Sequence, residues 1–239
     1  WRGKTRASRS EIQSLVGSLN FLAACERPGR IFMSRLLNTL RSKPDDGVIA
    51  LDREFLMDVQ WWREFAPTYN GVSFMPVKDW SEADSVISCD ACLQGAGGWY
   101  RGEYFHAKFP DHIMDKSLHI NALELLTLLV ALKLWGKKCQ GQRIKLYCDN
   151  STSVTVLNTG RSHDRFLQAC LHLICMLAAQ HQLEIRAVHL PGVENRLPDL
   201  LSRWFLSRKY RDEFFQLTSH MSIKECLIDN DMFQFSHTW

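Results

Sequence analysis

The chain has 239 residues, 46% hydrophobic and 23% charged, with a formal net charge of +3. That suits one or two globular domains with real cores. It excludes several classes: no charge-free run of about 18 apolar residues marks a membrane span, the basic N-terminus lacks the apolar stretch of a signal peptide, and eight scattered cysteines without framework spacing point to a reducing compartment. The chain begins with Trp1 rather than Met, and is read as a piece of something longer. Charge is uneven. Residues 1–43 carry nine Lys or Arg (Arg2, Lys4, Arg6, Arg9, Arg27, Arg30, Arg35, Arg41, Lys43) against Glu11 and Glu26, a local +7 that leaves the remainder at −4. Two readings of that segment stand, a polyanion-binding surface and a solvated helical face.

In chain order, Ser8-x-x-Glu11 has the spacing of a capping box, and Ile12, Leu15, Val16, Leu19 and Leu22 share one helical face. Pro28-Gly29 breaks that helix. Met33, Leu36, Leu37 and Leu40 suggest a second one, "SKPDDG" (42–47) a turn, and 51–65 a third amphipathic helix holding Trp61 and Trp62. "PTYNG" (67–71) ends it, with Pro76 in the loop beyond. From about residue 83 the period shortens: "DSVISCD" (84–90) reads as a strand, and 97–109 as a hairpin turning at Arg101-Gly102. Residues 119–135 form a helix apolar nearly all round. A strand at 143–149, a short helix near 151–159, a longer one over 163–181, a strand at 183–190 and a loop running into a helix over 191–204 complete the pattern. Three strands, helix, strand, helices, strand, helix imply a mixed sheet with helices on its faces.

Four carboxylates stand out. Glu124 is the only acid between Lys116 and Cys148 and sits in the most apolar helix; a buried carboxylate must be paired, protonated or bound to a cation, the alternative being a Glu tilted to the solvent edge. Asp90 ends the first strand and Asp149 the fourth, while Asp199 opens the last helix. Adjacent strand ends can bring two Asp together, and a helix across that edge can add Glu124. Such a cluster needs divalent cations to neutralise it, and oxygen-only ligands favour Mg²⁺ or Mn²⁺. The Cys89-x-x-Cys92 pair and Cys170-x-His172-x-x-Cys175 lack a second pair at zinc spacing and are read as core thiols. Trp99 and Tyr100 are read as packing residues.

The set "CDACLQGAGG", "NALELL", "LYCDNSTSV" and "HLPGVENRLPDLLSR" resembles a type 1 ribonuclease H of the kind carried by reverse transcriptases. Its tail, H-x-P-G-x-x-N-x-x-x-D-x-L-S-R, is similar to that of gypsy, DIRS and Ngaro retroelements. "LVGSLNFLAACERPGR" resembles the thumb of such an enzyme, "WWREFAPTYNGVS" the segment joining thumb to nuclease, and "FQFSHTW" the end of those elements. The resemblance spans roughly residues 10–204. It implies an RNase H-like α/β fold, a mixed five-stranded sheet flanked by helices, after a small helical thumb or connection. The expected domains are 1–80 (thumb/connection), 81–205 (RNase H) and 206–239 (a C-terminal tail).

Residue by residue, the resemblance implies that Asp90, Glu124, Asp149 and Asp199 bind two Mg²⁺ or Mn²⁺ ions. Asn121 then contacts the minor groove of the nucleic acid, Asn195 lies near the scissile site, and Gly95 and Gly97 form a turn where backbone approaches substrate. Asn121 as a helix cap and the glycines as hairpin formers remain open. The implied activity is hydrolysis of the RNA strand of an RNA/DNA hybrid, with two cations activating water and stabilising the leaving 3′ oxygen, giving a 5′-phosphate and a 3′-hydroxyl. The implied partners are the hybrid duplex and the polymerase domain of the same reverse transcriptase, in the cytoplasm, nucleus or a retroelement particle. Many relatives carry a mobile histidine in the loop after the last strand. Here Val193 follows Gly192, and gypsy-type enzymes are similar in lacking the loop histidine; His189 is expected to be structural, the alternative being that it aligns with that histidine. The alternative function is a non-catalytic duplex-binding module of the same fold. No palm, fingers or Y-x-D-D segment is present, so polymerase activity is not expected.

Overall fold

The Ser8-x-x-Glu11 spacing closes as a reciprocal cap: the Ser8 N–H donates to Glu11 Oε2 at 2.8 Å and the Glu11 N–H to Ser8 Oγ at 3.2 Å. Helix α1 (Arg9–Cys25) follows from it. The computed structural model describes residues 1–25, 29, 32–42, 47–66, 82–162 and 164–235, and these form two units, one up to residue 66 and one from 82 to 235. In the first, strand β1 (Arg6–Ser8) pairs antiparallel with β2 (Val48–Ala50). Helix α2 (Ser34–Ser42) packs between α1 and α3 (Arg53–Phe65). Asp52 caps α3 by accepting from the Phe55 N–H at 2.7 Å. Trp61 is fully buried and stacks on Phe32 at 3.8 Å. The break at Pro28, most of the 42–47 turn, and the 67–71 segment with Pro76 lie outside the described residues.

The second unit is built on one mixed sheet. Strands β3 (Ser85–Ala91), β4 (Gly95–Tyr100) and β5 (Glu103–Lys108) form an antiparallel meander. Arg101 and Gly102 turn the β4–β5 hairpin, both at positive φ (49° and 84°), which is why Gly102 is needed there. Helix α4 (Ile120–Trp135) crosses to β6 (Arg143–Cys148), parallel to β3, and helices α5 (Ser151–Thr159) and α6 (Arg165–His181) lead to β7 (Glu184–His189), parallel to β6. Helix α7 (Arg196–Ser202) returns to β3 and β4, and α8 (Arg208–Thr218) packs on α7. Helix α4 is buried from Ala122 through Leu132 because it lies against β3 and β4 on one side and α6 on the other.

One expectation is corrected here. The sheet has six strands, in the order β7-β6-β3-β4-β5-β8, because Lys224–Glu225 (β8) pairs parallel with β5. Residues 206–235 fall in the same unit as the sheet. Phe214 of α8 is buried with Tyr104, Leu200, Leu201 and Trp204, each such side chain contributing about 1.5–3 kcal/mol. Phe233 is buried as well, and Lys133 Nζ donates to the Met232 and Gln234 carbonyls at 2.9 and 2.8 Å. Among the described residues, no helix is long and apolar enough to cross a membrane.

Candidate metal centre

The site is assembled by strand register. Because β3 and β6 run parallel with Ser88 beside Tyr147, two further residues bring Asp90 beside Asp149 at the carboxyl ends of neighbouring strands. Helix α4 starts over that edge, N-capped by the His119 ring, which accepts from the Asn121 N–H at 3.3 Å. One turn later Glu124 reaches the strand ends. Ligand oxygens of Asp90, Glu124 and Asp149 all lie within 4.8 Å of one another.

Asp90 is 3% exposed and Glu124 2%. Burial pushes the Asp90 carboxyl up to about 7; the Ser202 hydroxyl bond opposes this, while the charges of Asp149 and Asp199 add to it and Arg203 counters them. Glu124 is held well above the usual carboxylate range, by burial first and then by the charges of Asp90 and Asp149. Its Oε1 accepts from the Ala91 N–H at 3.2 Å, and its Oε2 is buried with no partner. An orphaned, buried carboxylate oxygen facing two more carboxylates fits a cation, since three oxygen donors suit a hard divalent ion.

The other expected residues are placed differently. Asp199 is not in the cluster: its Oδ2 is 3.0 Å from Arg196 and its Oδ1 2.7 Å from Arg203. Asn121 is half-exposed beside the cluster, and its Oδ1 accepts from Asn150 Nδ2 at 2.8 Å. The cap of α4 is therefore His119, not Asn121. Asn195 is 1% exposed, and its amide donates to the Cys89 carbonyl at 2.8 Å; it ties the start of α7 to β3. Gly95 and Gly97 lie under α7. A Cβ on Gly95 would come within 2.5 Å of the Ser202 carbonyl, and one on Gly97 within 2.5 Å of Ser202 N and Leu201 Cβ. Close helix packing needs a glycine at both positions.

Ser202 is the site residue that sequence reasoning missed. Its hydroxyl lies 2.5 Å from Asp90 Oδ2 and 3.0 Å from the Asp199 carbonyl; with one proton to give, it donates to the closer, charged acceptor. The signal was its place three residues after Asp199, on the same helical face. His189 is exposed, and its Nε2 lies 3.1 Å from the Asp149 carbonyl. A carbonyl only accepts, so that nitrogen carries the proton. Val193 is 86% exposed and puts no titratable group in the loop. Cys89, Cys170 and Cys175 are buried, as core thiols are, whereas Cys92 is half-buried with its thiol donating to the Ser202 carbonyl at 3.2 Å. Tyr100 is buried too, and Trp99 meets Phe214 edge-on.

No family model matches the chain, and no curated protein matches it. Among solved structures it is similar to that of the foamy viral protease-reverse transcriptase dRH in complex with double-stranded DNA, with 15% identity and a TM-score of 0.33 over 78% of this chain. The chain spans 35% of that protein's length. A likeness of that size says nothing about activity.

Proposed function

We propose that the chain is a divalent-cation-dependent nuclease of the type 1 ribonuclease H kind, cutting the RNA strand of RNA/DNA hybrids within a retroelement reverse transcriptase. The observation that carries the reading is the trio of buried Asp90, buried Glu124 and half-buried Asp149, with the Glu124 Oε2 left without a partner. The meander followed by two parallel strands, with helices on the sheet, supports an RNase H-like fold. In this reading Asp90, Glu124 and Asp149 hold the cations, Mg²⁺ or Mn²⁺, and Asp199 completes the set. Bound there, two such ions supply polarisation of the phosphate and an activated water near neutral pH.

The chain's own residues set the geometry. Ser202 keeps the Asp90 carboxylate turned to the site, the Ala91 N–H fixes one oxygen of Glu124, and the His189 ring braces the backbone at Asp149. Asn121 is held by Asn150 through its oxygen, which leaves its NH₂ to meet a 2′-hydroxyl across a minor groove. The expected partners are the hybrid duplex and a polymerase domain of the same reverse transcriptase. The test is cleavage of an end-labelled RNA/DNA hybrid with Mg²⁺, beside RNA/RNA and DNA/DNA duplexes. Cutting confined to the RNA strand of the hybrid is expected. Hybrid bound tightly yet left intact at all Mg²⁺ and Mn²⁺ concentrations would make the chain a non-catalytic duplex-binding module instead.

A further inference from the structure

We propose that Arg203 is a positioning residue that competes with a second divalent cation for Asp199; this rests on the metal-centre reading above. Arg196, Asp199 and Arg203 are spaced i, i+3 and i+7, so both arginines fall on the Asp199 face of α7. Arg196 takes Oδ2 at 3.0 Å and Arg203 takes Oδ1 at 2.7 Å. Both oxygens of Asp199 are thereby engaged, in a side chain only 13% exposed. A hard cation needs such an oxygen at about 2.0–2.1 Å with its lone pair free. A guanidinium bonded to the same oxygen stands in the way.

The two arginines differ in how they are anchored. Arg196 is shared with Glu213 of α8, its Nε 2.9 Å from Oε1 and one terminal nitrogen on the same oxygen. It has a second acid to hold it. Arg203 has the neutral Tyr210 as its other hydrogen-bond partner; the two side chains are equally exposed, at 44%, so the anchoring alone tells them apart. Arg203 is therefore the one that can swing into solvent. Charge counting agrees. The clustered trio has three carboxylates with no basic side chain among them and suits a divalent ion, whereas Asp199 already has its charge met. The trio forms the strong cation site, and Asp199 becomes available to a second ion only when Arg203 leaves. A bland staple between α7 and α8 would use the same contacts but would leave ion affinities untouched.

The test is Mn²⁺ binding to the full chain without nucleic acid, counted by electron paramagnetic resonance and calorimetry. The parent protein is expected to take one ion tightly and a second much more weakly. Arg203→Gln is expected to tighten the second by about tenfold, the scale of one lost charge-assisted contact, with a smaller tightening of the first ion, because the Arg203 charge also bears on Asp90. Arg203→Lys keeps the charge but loses the fork, and should give a rise of about threefold. Adding Asp199→Asn to Arg203→Gln should erase the gain. A second-ion affinity unchanged in both Arg203→Gln and Arg203→Lys overturns the proposal, as does a gain that survives Asp199→Asn. Absence of even the first ion from the parent protein would overturn the functional reading beneath it, which is a different failure.

Discussion

Glu124 has one carboxylate oxygen on the Ala91 N–H and the other without a partner, in a helix otherwise built of apolar residues. Asp90 and Glu124 both hold their protons more firmly folded than unfolded. Over the range from about pH 4, where free carboxyls titrate, up to about 7 for Asp90, the folded chain binds more protons than the unfolded one. Stability of the metal-free protein is then full below about pH 4 and falls as the pH rises through 7. Thermal melts in chelator should show a falling melting temperature from about pH 5 to 8, flattened by millimolar Mg²⁺ and reduced in Glu124→Gln. A melting temperature that climbs over that window in the parent but not in the variant would contradict the burial argument. Asp149→Asn removes a ligand while relieving the same repulsion. A metal ligand is worth several kcal/mol in the transition state, or about a thousandfold in rate, so hybrid cleavage should fall by that order while the metal-free melting temperature holds level or rises. Retained cleavage would remove Asp149 from the site. The trio itself was legible as lone acids at strand ends and in an apolar helix. The pairing of Asp199 was legible in principle, since Arg196 and Arg203 sit at helical spacing from it, but spacing does not say whether an acid meets an ion or a guanidinium. The burial of Asn195 was not legible, because an asparagine beside a proline-glycine turn reads equally as exposed.

At the scale of elements, α7 presses its backbone onto β4 so closely that Gly95 and Gly97 cannot carry side chains. That approach is what brings the Ser202 hydroxyl to Asp90. Gly97→Ala places a Cβ against Ser202 N and Leu201 Cβ, backbone and core atoms that cannot swing aside. Overpacking of this kind costs about 1–3 kcal/mol, and α7 must lift. Chemical denaturation should show that loss, and Mn²⁺ affinity at the trio should fall with it as Asp90 loses its hydroxyl. An alanine variant as stable as the parent would mean α7 is seated more loosely than its contacts imply. The long elements were legible because their periods run far enough to be read: β3, β6, β7 and α4 lie within a residue or two of the expected bounds. The short ones were not. Strands β1, β2 and β8 have three, three and two residues, too few for alternation to show, and they exist through their ladder partners. Helix α8 was missed for another reason: its sequence is mostly polar, and one buried face led by Phe214 fixes it to the core.

Across the whole molecule, the basic excess of residues 1–43 raises the question of how many of those cations face outward. Arg27, Arg30 and Lys43 lie outside the described residues. Arg9 donates to the Leu40 carbonyl at 2.9 Å, Lys4 pairs with Glu11 at 2.5 Å, and Arg35 lies 3.4 Å from the buried Asp58 and 3.7 Å from Glu54. Arg2, Arg6 and Arg41 are exposed. Neutralising a phosphate releases condensed counterions, so each contact contributes about 0.7–0.9 to the slope of log K against log salt. Changing Arg2, Arg6 and Arg41 together to Gln is therefore expected to lower the slope for hybrid binding by about 2–3, with the melting temperature unchanged. Arg35→Gln should behave oppositely. It takes a counter-charge from Asp58, which burial already pushes well above its ordinary range, and breaking a buried pair costs about 3–5 kcal/mol, while the salt slope stays where it was. If the triple variant leaves the slope unchanged, the first unit is ordinary solvated surface and the phosphate contacts belong elsewhere. If Arg35→Gln instead flattens the slope without loss of stability, the guanidinium is spent on nucleic acid rather than on Asp58.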